Sequence, residues 1–171
     1  MKYYAVCLCI MCIVSVGCSE TDSDKSPHII SDNPIESGRY LVIMGGCNDC
    51  HTNGYLATEG KVPEEDWLTG SPVGWQGPWG VTYPPNLRLR VQEWTEDEWV
   101  TILKTRTGLP PMPWMNVNKM NEIDARAIYA YIKSLGPKGD HMPLALGPNE
   151  IPQTPYLSLF PQNLHLPSAK N

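Results

Sequence analysis

Two thiols and an imidazole stand almost side by side in the stretch GGCNDCHT, as Cys47, Cys50 and His51. The spacing C-x-x-C-H serves three chemistries. The thiols can add across the two vinyl groups of a haem while the adjacent imidazole reaches the iron. They can contribute to a zinc site. They can also cycle between dithiol and disulfide. Zinc wants about four ligands, and the other histidines, His28, His141 and His165, all lie far from the motif. Thiol exchange wants the motif at a strand-to-helix turn in a βαβ frame. Here a helical pattern precedes it. The residues rank covalent haem attachment first and leave zinc and thiol exchange as the weaker alternatives.

The remaining cysteines do not compete for these roles. The chain opens MKYYAVCLCIMCIVSVGCSE. Lys2 supplies a basic start, and Ala5 to Val16 form an uncharged run too short to span a bilayer as a mature helix. Small residues lead to Cys18, and the polar stretch SETDSDKSP follows. This opening resembles a bacterial lipoprotein signal, which implies cleavage before Cys18 and acylation of its thiol. Residues 1–17 are then a signal peptide and 18–32 a flexible tether. Cys7, Cys9 and Cys12 leave with the signal, so no disulfide framework is expected.

The elements that must position the motif are read from caps and periodicity. Asn33 and Pro34 predict the start of a first helix, with Glu36 at the capping-box position. Tyr40, Leu41 and Met44 form its apolar stripe, and Gly45 and Gly46 end it. Residues 52–92, rich in Gly and Pro, predict a long irregular loop, which a compact domain tolerates when the loop wraps something. Thr95 and Glu98 predict a capping box for a second helix, with Trp99, Ile102 and Leu103 on one face and Gly108 as its stop. The proline-flanked LPPMPWM cannot be helical. Asn121 caps a third helix through Ile123, Ala127, Ile128, Tyr131 and Leu135, closed by Gly136. The proline-rich segment 137–171 is expected to lie extended over the surface. No stretch alternates with period two, so the expected class is all-α.

Composition removes one partner class. The 171 residues carry a formal net charge of -5 and contain no basic run, which argues against nucleic acid. All six tryptophans fall between Trp67 and Trp114. That clustering suits a Trp-rich core at least as well as packing around a flat ligand.

Taken together, GRYLVIMGGCNDCHT, GPWGVTYPPNL, LPPMPW and DARAIYAYIKSL resemble class I c-type cytochromes, and among them the domains associated with periplasmic dehydrogenases. The resemblance covers residues 33–136. It implies a cytochrome c fold of about three main helices, with long loops wrapped around one covalently bound haem c. It implies that Cys47 and Cys50 carry the thioether bonds and that His51 is the proximal iron ligand. The distal ligand would be a methionine before the last helix. Met112, followed by Pro113, fits the family pattern better than Met115. Gly38 and Tyr131 fit the family's crossing of first and last helices. Trp79, Tyr83, Arg88 and Trp114 are candidates for lining the haem or bonding its propionates, with ordinary packing an equal explanation for each. The implied function is electron transfer, without enzyme activity, in an exported, lipid-anchored periplasmic or cell-envelope protein. Its implied partners are a dehydrogenase or terminal oxidase, and a membrane through the anchor. The alternative is a haem subunit held tightly by a dehydrogenase.

Overall fold

The computed structural model describes residues 28–161. Cys18, the expected signal segment and most of the expected tether lie outside the described residues. The end of that tether is docked: Ile29 N–H donates to Asp124 Oδ1 at 2.9 Å.

Asn33 caps α1 (Pro34–Met44) by accepting from the Ile35 and Glu36 amides. The reciprocal half of the expected capping box is absent. Asn33 N–H donates to Ser31 Oγ at 3.1 Å instead of to Glu36. The buried face also differs from the expected stripe. Ser37, Gly38 and Val42 point inward, whereas Tyr40 and Met44 are exposed. The reason is the close approach of α6 (Glu122–Ser134) to Gly38. A Cβ at Gly38 would stand 2.0 Å from Ala127 O and 2.7 Å from Tyr131 Cβ. The two backbones meet there, and the face carrying the small residues becomes the inner one.

Gly45 and the left-handed Gly46 (φ 65°) end α1 and turn the chain into the one-turn helix α2 (Cys47–His51). Helix α3 (Leu87–Glu93), not anticipated from sequence, is capped by Asn86. Helix α4 (Glu96–Thr105) carries the expected Thr95–Glu98 capping box but ends before Gly108. Against expectation the last two residues of LPPMPWM are helical: Pro113 stands just before the short helix α5 (Trp114–Val117), where its missing N–H costs no helical bond. In α6, Ala127, Ile128 and Tyr131 are buried as the spacing predicts, but Ile123 is 52% exposed. Gly136 follows α6 with φ 69°, as its closing role requires. Val42, Leu68, Val91, Trp99, Leu103, Ile128 and Ile132 share one apolar cluster, which is the main driving force for assembly.

The expected all-α class is wrong. Strands β1 (Gly74–Gly77) and β2 (Gly80–Thr82) form an antiparallel hairpin. Strand β3 (Tyr156–Ser158) adds parallel to the far side of β1, giving the order β2-β1-β3. The described residues thus hold six helices and a small mixed sheet. The strands escape pattern reading for physical reasons. β1 and β2 are three or four residues long and contain glycines, so no alternation can develop. β3 gains its partner from a remote part of the chain and is exposed at every position.

Candidate functional site

Helix α2 holds both thiols and the imidazole of the motif on a single turn. Asn48 and Thr52 pin that turn. Thr52 Oγ1 donates to Asn48 Oδ1 at 2.7 Å and accepts from Leu68 N–H at 2.8 Å. Gly70 N–H donates to His51 O at 2.7 Å, and Thr52 pairs with Gly70 as an isolated parallel bridge. The left-handed Gly46 lets α2 start directly from the end of α1.

His51 is buried. Its Nδ1 lies 2.8 Å from the carbonyl of Pro85. A carbonyl only accepts, so Nδ1 carries the proton and Nε2 keeps its lone pair. Burial holds the His51 pKa below its ordinary value, against an opposing effect of the Pro85 carbonyl. The ring is therefore neutral and tautomerically fixed. This is the state in which an imidazole ligates a metal.

Cys47 and Cys50 are both free and half-buried. Burial pushes the Cys47 thiol up to about 11. Burial, followed by the charge of Asp49, raises Cys50 as well. Thiol exchange works through thiolates of lowered pKa at helix N-termini; both groups are shifted the other way. Among the described residues, no group of three or more His, Cys, Asp and Glu side chains is arranged to hold a metal ion by itself. Also among the described residues, no helix is long and apolar enough to cross a membrane.

The two candidate methionines differ in setting. Met112 is half-buried in the proline loop, and its carbonyl accepts from Trp114 N–H at 2.9 Å. Met115 lies on α5 and is 75% exposed. The loop is fastened to the hairpin, since Thr82 Oγ1 donates to Pro110 O at 2.6 Å. None of the described hydrogen bonds or ring contacts ties Met112 to α2. The structure brings Cys47, Cys50 and His51 together and leaves Met112 on a separate element.

The residues named as possible haem contacts divide. Arg88 is committed to the main chain. It donates to Gly136 O at 2.6 Å, to Glu65 O at 2.7 Å and to Leu135 O, so it closes the end of α6. Trp114 lies under the Arg106 guanidinium at 5.1 Å. The Tyr83 hydroxyl accepts from Thr154 Oγ1 at 3.1 Å. Trp79 is different, because its Nε1 is buried with no hydrogen-bond partner. A buried N–H without a partner is costly and uncommon.

These observations fit a covalently attached haem. Two free thiols flank a turn that ends in an oriented, neutral imidazole, and on that same turn Asn48 Nδ2 is buried without a hydrogen-bond partner. Sequence reading missed Pro85 and Asn86, which prove central. The YPPN run was read as part of an irregular loop and within GPWGVTYPPNL as part of the resemblance, with no role given to either residue. No protein-family model, curated protein or solved structure matches this chain.

Proposed function

We propose that the chain is an electron carrier built on a single covalently bound c-type haem, exported and anchored to a membrane through acylated Cys18. The observation that carries this reading is His51. It is neutral, buried and fixed by Pro85 O, and it directly follows two free thiols in C-x-x-C-H spacing. Cys47 and Cys50 would hold the haem by thioether bonds, and His51 Nε2 would take one axial position. Met112 would take the other, a choice supported by its partial burial beside the exposed Met115. Bound there, the haem supplies a one-electron couple. The chain's own residues orient the imidazole, keep its proton on Nδ1 and exclude water from it. No catalytic base or nucleophile enters this reading. Partners would be redox proteins, a dehydrogenase or a terminal oxidase, met by weak docking.

The tighter alternative, a permanent subunit of a dehydrogenase, has one observation in its favour. Tyr156, Leu157, Leu159 and Phe160 are exposed together on the C-terminal segment. A large copurifying partner supports that alternative, and a freely monomeric protein counts against it.

The test is mass spectrometry and haem staining of a denaturing gel on protein matured in a competent bacterial host. Added haem mass on the peptide containing Cys47 and Cys50 is expected, and it should be lost in Cys47→Ser plus Cys50→Ser. An unmodified peptide overturns the reading. Met112→Ala should abolish the long-wavelength absorption of the oxidised protein; retention there with loss in Met115→Ala moves the ligand to Met115.

A further inference from the structure

Pro85 and Asn86 are consecutive, and their polar groups serve different parts of the molecule. Pro85 O accepts from His51 Nδ1. Asn86 Oδ1 accepts from Leu89 N–H at 3.2 Å and so caps α3. Asn86 Nδ2 donates to Lys138 O at 2.7 Å and to Asp140 O at 3.2 Å, both on the segment that follows α6. Asn86 is 2% exposed, so water does not compete for these bonds.

The peptide joining Pro85 to Asn86 is planar. Its carbonyl oxygen and the Asn86 nitrogen and Cα lie in one rigid plate. Fixing Asn86 therefore fixes the direction of the Pro85 carbonyl. Asn86 is held at one side by α3 and at the other by residues 138–140. The C-terminal segment also presses on the same loop directly. Met142 lies over Gly70, where a Cβ would come within 2.6 Å of Met142 Cγ and 2.8 Å of Asn86 N. Farther along, Leu146 exchanges main-chain bonds with Val81 at 2.8 and 3.0 Å, and Gly74 N–H donates to Pro155 O at 2.8 Å. The segment is thus laid along the loop that faces His51.

We propose that Asn86 is a positioning residue for His51, and that residues 138–142 act through it as a buttress keeping the Pro85 carbonyl aimed at Nδ1. The carboxamide converts a docked C-terminal segment into a fixed imidazole orientation. The consequence for an iron centre rests on the functional reading above; the geometric role does not.

Asn86→Ser separates the two duties of the side chain. A serine hydroxyl still caps α3, but it is too short to reach Lys138 O and Asp140 O. The experiment reads ring and amide protons by nitrogen-edited NMR in the matured full-length protein, reduced so that it is diamagnetic. The Leu89 amide should stay protected, while the His51 Nδ1 proton exchanges about tenfold faster, the scale of one weakened hydrogen bond. Met142→Ala approaches from the other side. It leaves Asn86 intact and should also speed exchange of that proton, so it decides the matter alone if Asn86→Ser does not fold. Unchanged His51 exchange in the variant that folds overturns the proposal. If the haem stain is negative the functional reading falls, yet the same ring proton still decides the positioning role.

Discussion

Where α1 crosses α6, Val42 and Ile132 are fully buried and Ile128 nearly so; β3, by contrast, exposes Tyr156, Leu157 and Ser158 and is held by main-chain bonds to β1. The first region is maintained by removal of apolar surface from water, which is non-directional and roughly proportional to area. The second depends on directional bonds, each worth about 0.5–1.5 kcal/mol net. The site lies between them. Helix α2 grows out of α1, but the carbonyl that orients His51 comes from the loop that the C-terminal segment covers. A rigid helical frame therefore presents the imidazole, while a hydrogen-bonded layer decides its orientation. Damage to the first should unfold the protein; damage to the second should leave it folded with altered site chemistry.

Gly38→Ala gives the largest expected effect. Its added Cβ would sit 2.0 Å from Ala127 O, and separating the helices should cost about 3 kcal/mol, read from denaturant unfolding. A loss below about 1 kcal/mol would show that the crossing adjusts easily, since overpacking ordinarily exceeds that. Arg88→Lys comes next. One ammonium cannot replace a planar fork serving Gly136, Glu65 and Leu135, so about 2 kcal/mol should be lost. Because this fork ties the end of α6 to the loops, its variant measures how strongly the two regions are coupled. Thr95→Ala removes only the cap of α4 and should cost about 1 kcal/mol with no change in any signal from His51.

The smallest expected effect is on acidification. Hydrogen bonds from Arg39, at 2.9 and 3.0 Å, hold the Glu64 carboxyl below its ordinary pKa, with further help from the Tyr131 hydroxyl. A carboxyl depressed in the folded state stabilises it above the unfolded pKa. That stability is lost as pH falls through the folded value. The loss should begin below the ordinary 4.5. The pair is well exposed to solvent, so screening limits the effect to less than about 1 kcal/mol. Glu64→Gln should flatten this part of the Tm against pH curve. An unchanged curve would show that the contact contributes nothing to stability.

Local rules carried the sequence reading well where structure is local. Asn33, Thr95 with Glu98, Asn121 and Gly136 all mark helix ends where their chemistry says they should. The C-x-x-C-H turn is likewise a local feature. Failures occur where a distant contact decides. Tyr40 and Met44 read as an inward stripe, but the backbone approach at Gly38 selects another face. Helix α3 was hidden because its cap, Asn86, follows two prolines in a glycine-rich stretch. The sheet was hidden because β3 reaches β1 from a remote segment. Pro85 was missed as a site residue because it acts through its carbonyl, a group that every residue possesses.

The parallel edge of β1 has a bearing on the order of assembly. The hairpin to β2 closes between near neighbours, whereas pairing with residues 156–158 must wait until almost all the described chain has been synthesised and a long loop has closed. During that interval β1 keeps one edge of unpaired main-chain groups, a template that the last strand removes when it arrives.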